Sequence, residues 1–159
     1  MSELGNVAGD ASGDTVEYVT VVIAGQLFGI PIRKVEDVFF PQSITPVPLA
    51  ADEIAGILNL RGRIVTAICL RRRLDLPDRN DDGAMPMAVG VEHKGESYGL
   101  IIDEVGEVLR LAVDGLEAAP GNLDKRWRSV AAGVHKLEGR LMVVLDVEQV
   151  LGAELSAAA

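Results

Sequence analysis

Two stretches of this chain occur twice. Gly25-Gln26-Leu27-Phe28-Gly29-Ile30-Pro31-Ile32-Arg33-Lys34-Val35-Glu36-Asp37-Val38-Phe39 returns as Gly95-Glu96-Ser97-Tyr98-Gly99-Leu100-Ile101-Ile102-Asp103-Glu104-Val105-Gly106-Glu107-Val108-Leu109. Further on, Gly56-Ile57-Leu58-Asn59-Leu60-Arg61-Gly62-Arg63-Ile64-Val65 returns as Gly133-Val134-His135-Lys136-Leu137-Glu138-Gly139-Arg140-Leu141-Met142. A duplicated segment fixes architecture before any single element is assigned. A shared fold explains what the copies keep. Where they differ, function is the first suspect.

Each copy reads as β structure. Tyr18 to Ile23 is rich in β-branched residues, Ala24-Gly25-Gln26 turns, and Leu27 to Ile30 returns, which is a hairpin signal. Val35 to Phe40 is a further strand closed by Pro41, and the proline-flanked Ile44 to Val47 suits an edge. Gly56 to Leu60 and Arg63 to Cys69 flank a tight Arg61-Gly62 turn. The second copy follows with strands at Met87 to His93, Ser97 to Ile102, Val105 to Leu111, Val130 to Leu137 and Arg140 to Asp146. Helical turns are expected at Ala50 to Ala55 and Leu70 to Leu74, an irregular stretch at Pro120 to Arg128, and a C-terminal helix over Val147 to Leu155.

The prediction is a mainly all-β protein of two small five-stranded barrels packed on each other, with short helical turns and a C-terminal helix. Residues 1–15 read as a disordered tail, 16–152 as the folded region with subdomains over about 16–84 and 85–152, and 153–159 as a C-terminal tail. Asp75 to Ala84 is the best linker. A barrel of that size buries too little surface to be robust alone, so two copies sharing a core give a physical reason for duplication.

Composition excludes several classes of function. The net charge is −9 and only 4% of residues are aromatic, which argues against nucleic-acid binding by phosphate contacts or base stacking. One cysteine, Cys69, permits no intrachain disulfide and suits a reducing compartment. The N-terminus carries acids rather than a basic, apolar signal, and no apolar run is long enough to span a membrane, so a cytoplasmic location is expected.

Motifs with catalytic or metal chemistry dissolve on inspection. Gly95-Glu96-Ser97-Tyr98-Gly99 matches a hydrolase nucleophile elbow, with Asp103 or Asp114 and His135 following in order. An elbow needs a strand-to-helix turn, whereas this stretch reads as a hairpin, and the first copy keeps the glycines without the serine. A small hydrolase using Ser97 is the remote alternative. Asp78-Arg79-Asn80-Asp81-Asp82-Gly83 opens like a calcium loop, but its twelfth position is Val89. His93 and His135 lack zinc-ligand spacing. No catalytic residue, metal or cofactor is expected. Cys69 reads as a small buried hydrophobe, His135 as a strand residue near the surface, and Arg71-Arg72-Arg73 as a solvated helical turn or a partner contact. Trp127 reads equally as an interface anchor or a packed loop aromatic.

The run from Gly56 through Val65, with Leu70-Arg71 after it, resembles the signature of the CheW family of bacterial chemotaxis coupling proteins. Tyr98-Gly99-Leu100-Ile101-Ile102-Asp103-Glu104-Val105 and Gly133 through Val150 resemble its other landmarks, so the likeness spans about residues 16 to 152. The resemblance implies SH3-like barrels and a non-enzymatic adaptor or scaffold. Such a protein couples the cytoplasmic tip of methyl-accepting chemoreceptors to the regulatory domain of a CheA-type histidine kinase, and is recruited to membrane arrays. A related scaffold in a non-flagellar or specialised receptor–kinase pathway is the alternative. By position, the resemblance places Arg61, Asp37 and Val35 at receptor binding, with Asp37 standing where the family commonly has Glu. It places Gly56 and Gly99 at kinase binding or an interface, and Phe39 is grouped with them. Strand alternation turns Phe39 and Phe40 to opposite faces, one inward and one outward. The receptor helix is expected in an apolar groove between the barrels.

Overall fold

A computed structural model describes residues 14–77, 86–121, 123 and 125–158. The expected calcium-like loop and most of the N-terminal tail and linker lie outside the described residues. The strands are β1 (Thr15–Ile23), β2 (Gln26–Pro31), β3 (Val35–Phe39), β4 (Ile54–Leu60) and β5 (Arg63–Cys69) in the first repeat. Those of the second repeat are β6 (Met87–His93), β7 (Glu96–Ile102), β8 (Glu104–Ala112), β9 (Ala131–Leu137) and β10 (Arg140–Leu145). Helices α1 (Leu70–Arg73), α2 (Lys125–Val130) and α3 (Val147–Ala158) complete the framework.

The sheets do not follow the repeats. One has the order β9-β10-β2-β1-β8, and the other β3-β6-β7-β5-β4. Each takes its first hairpin from one repeat and its remaining three strands from the other. The boundary expected near 84/85 therefore does not separate the barrels. The junctions match: β10 meets β2 in parallel, as β5 meets β7, and β1–β8 and β3–β6 are antiparallel pairs that each carry a register shift. Periodicity cannot show this exchange, because either pairing buries the same faces.

Each sheet is drawn toward closure by one extra bridge. Thr45 exchanges backbone hydrogen bonds of 2.8 Å with Ile57, and Glu117 does the same with Val134. Both bridges need a glycine beside them. A Cβ on Gly56 would lie 2.3 Å from the Thr45 carbonyl oxygen, and one on Gly133 would lie 2.6 Å from that of Glu117.

Strand burial explains the sequence pattern. Leu27 to Ile30 and Ala88 to Val91 are buried without interruption, because these hairpins are covered on both faces. Their outward faces (Val19, Val21, Ile23, Phe28 and Ile30 against Val89, Val91, Leu100 and Ile102) form the principal core between the barrels. Smaller clusters fill each interior: Tyr18, Leu27, Met142 and Val144 in the first barrel, and Phe39, Leu58, Val65, Ala67 and Ala88 in the second. The shared core expected of a duplication is thus the largest of the three.

Several expectations change. Residues 50–53 are not helical, with a turn at 52–53, and Ile54 already belongs to β4. The stretch expected to be irregular contains α2. The C-terminal helix runs on to Ala158 in place of a tail from 153, with a break at Gly152 (φ +38°). Cys69 is half-buried. His135 is buried rather than near the surface, because its strand position points into the first barrel. Trp127 is a packed aromatic: its indole Nε1–H donates to the Leu74 carbonyl at 3.1 Å and its ring meets Phe28 edge-on.

The arginine run is neither merely solvated nor free. Arg71 holds both Asp103 carboxylate oxygens, at 3.0 and 2.6 Å, and donates to the Pro77 carbonyl. Asp103 stands where β7 of one sheet passes into β8 of the other, and also accepts from Ala24 N–H at 2.8 Å. Arg73 donates to the Val150 and Gln149 carbonyls at 2.8 and 3.0 Å, just before the break at Gly152. The helical turn α1 therefore ties the two sheets and α3 together.

Candidate functional site

The hairpin turn between β4 and β5 projects at one end of the second barrel. Asn59 Oδ1 accepts from Gly62 N–H at 2.9 Å, which tightens the turn. Arg61 takes the left-handed conformation there (φ +53°), so its side chain leaves the sheet and reaches across the barrel end to β3. It forms an ion pair with Asp37, whose other carboxylate oxygen accepts from Val38 N–H at 2.8 Å. The shorter acid at position 37 still reaches the arginine. The Arg61 side chain is 74% exposed, so the pair contributes only about 0–1 kcal/mol to stability. Its effect is to shape the barrel end.

Beneath the pair lies a cleft of about 280 Å³. All five strands of the second barrel contribute to it, through residues that include Asp37, Phe39, Leu60, Arg63, Val65, Gly90 and Ser97. Arg63 projects from β5 and donates to Ser97 Oγ at 2.6 Å. The cleft is thus a largely apolar well with two guanidinium groups and the carboxylates of Glu36 and Asp37 around its rim.

The structure sorts the six candidate residues. Asp37 and Arg61 meet directly, and Phe39 lines the same cleft from below. Gly99 is buried and seats Phe39: a Cβ there would lie 3.2 Å from the Phe39 Cζ. Phe39 is 9% exposed and turned into the barrel, whereas Phe40, 51% exposed, faces outward. Gly56 is buried at the Thr45 bridge, and Val35 is half-buried against the shared core. Between the barrels, the described residues form packed core and a cleft lined by polar groups including Lys34, His93, Lys94 and Glu148.

Nothing in the sequence singled out Arg63, and Ser97 stood out only as a remote nucleophile, not as part of a cleft. The repeat carried the signal. Register places Ser97 opposite Val65, and the same positions of the first barrel hold Leu27 and Met142. Ser97 differs from its counterpart in both size and polarity.

No group of acids, histidines or cysteines suited to hold a metal occurs among the described residues. Two small closed-up β-barrels, built reciprocally from a duplicated unit and presenting a charged hairpin over an apolar cleft, define a β-barrel recognition module. The chain belongs to the CheW-like domain family, whose model matches residues 17–155. It is 27% identical to the chemotaxis protein CheW of Thermotoga maritima over 85% of this chain and 87% of that one. It is 28% identical to the chemotaxis protein CheW of Bacillus subtilis, covering 90% and 91%. Its fold superimposes on the crystal structure of the scaffolding protein TtCheW from Thermoanaerobacter tengcongensis with a TM-score of 0.78, at 26% identity over 89% of this chain and 96% of that one.

Proposed function

We propose that this chain is a non-enzymatic adaptor of chemotaxis signalling that couples methyl-accepting receptors to a CheA-type histidine kinase. Family membership and the relatives named as chemotaxis proteins support the coupling role. The observation that carries the site is the Arg61–Asp37 pair, formed across the barrel end by two residues far apart in sequence. A paired guanidinium held over an apolar well gives a receptor helix both an anchor point and an orientation. Binding follows from shape and charge, and no step of bond chemistry is needed. No helix among the described residues is long and apolar enough to cross a membrane, so membrane recruitment in this reading runs through the receptors.

Co-sedimentation with receptor-bearing membranes and kinase tests the reading. Arg61→Glu places two acids together at the barrel end and abolishes recruitment, while circular dichroism and melting temperature stay close to those of the parent. Normal recruitment of this variant rejects the site.

A further inference from the structure

The two barrels end differently at equivalent positions. In the first barrel, the counterparts of the cleft residues fill the space. Leu27 replaces Ser97 and is 7% exposed; Met142 replaces Val65 and is fully buried. Met142 lies so close over Gly29 that a Cβ there would sit 2.7 Å from its Cε. Thr20 replaces Gly90, and its hydroxyl donates to the Glu107 carbonyl at 2.6 Å, closing the wall. The same architecture is therefore plugged in one barrel and hollow in the other. The fold does not require the hollow, since its twin is stable without one.

We infer that the open mouth of the second barrel is a socket for one large apolar side chain of the receptor helix, with Arg63 pairing with a carboxylate of that helix. The socket's 280 Å³ falls just below the usual range of small-molecule sites and suits a single anchoring side chain. Anchors of this kind dominate protein interfaces when they enter a well-packed pocket. Charge selects the neighbour. Two acids, Glu36 and Asp37, line the cleft beside the two arginines: Asp37 pairs with Arg61, whereas among the described residues Arg63 is held by the neutral hydroxyl of Ser97, which leaves its charge to meet an incoming acid. This deepens the coupling reading and rests on it.

The first barrel supplies both the test and the control. Ser97→Leu installs the residue that the twin already accommodates at that position. It fills the socket and weakens binding of a purified receptor cytoplasmic-tip fragment roughly tenfold or more, with the melting temperature retained. Arg63→Glu changes an exposed residue, keeps the parent's melting temperature, and weakens binding by a similar factor. Arg140→Glu, the same exchange on the plugged barrel, leaves affinity within about twofold. The socket is overturned if Ser97→Leu and Arg63→Glu bind like the parent while Arg61→Glu fails, an outcome that leaves the coupling reading intact. Loss of binding to the isolated kinase regulatory domain alone, with receptor binding kept, also overturns it. If Arg61→Glu binds normally as well, the whole end of the second barrel is rejected as the receptor site.

Discussion

The first barrel is a filled version of the second. Phe39 and Ala88 in one stand where Leu109 and Tyr18 stand in the other, so the bulky ring has moved from one strand to its partner. Leu58 corresponds to His135, and Arg61 to Glu138. Backbone devices are kept throughout: the closing bridge, its adjacent glycine, the register shifts and the parallel junction all occur twice. Duplication preserved what closes a barrel and released what fills it. One barrel uses that freedom to pack, and the other to open a cleft.

The largest expected effect tests what the copies share. Gly56→Ala and Gly133→Ala each force a Cβ onto a bridging carbonyl, so each costs about 3–4 kcal/mol in urea unfolding. Similar losses in both barrels confirm that closure is common to them; a mild effect in one shows that its bridge is dispensable. A smaller effect tests what they do not share. Met142→Val empties part of the first interior and costs about 1–2 kcal/mol. Val65→Met, its mirror image, adds bulk beside an open cleft and costs less than about 1 kcal/mol. Equal costs would show that the two interiors are packed alike.

The smallest effect is in pH. His135 is 4% exposed, its Nε2 has no hydrogen-bond partner among the described residues, and Tyr18 packs edge-on against it at 5.5 Å. Burial lowers its pKa below the ordinary histidine value, and the nearby Glu117 carboxylate offsets part of this. The unfolded chain binds the proton more readily. Stability is therefore full above about pH 6.5, falls as the pH drops from there through the lowered native pKa, and levels off below it. His135→Leu copies Leu58 of the other barrel and removes that component from the pH profile of unfolding. An unchanged profile would locate the acid sensitivity elsewhere.

Much of this was legible in the chain. The Gly-marked hairpins and the strand limits of β5 and β6 follow from alternation and from the repeat itself. Reciprocal exchange of hairpins was not legible, since pairing between β2 and β10 leaves no local trace. Helix α2 escaped because its apolar contacts, Trp127 and Val130, are too few to show a period. The arginine run looked like a solvated face because its partners, Asp103 and the carbonyls of α3, lie far away in sequence. Of the site, Arg61 and Asp37 were placed by likeness to a family, whereas Arg63 and Ser97 needed the register between β5 and β7.

The exchanged hairpins also set the order in which the chain can be finished during synthesis. The second barrel has all five of its strands once Ile102 has been made. The hairpin of β1 and β2 is made first of all, yet it waits for β8 and for β10, which ends at Leu145. A ribosome adding roughly 5–20 residues per second leaves that apolar hairpin without its sheet for several seconds. The barrel that bears the cleft is complete while the older hairpin still has open edges, which makes that hairpin the segment of the nascent chain most in need of protection.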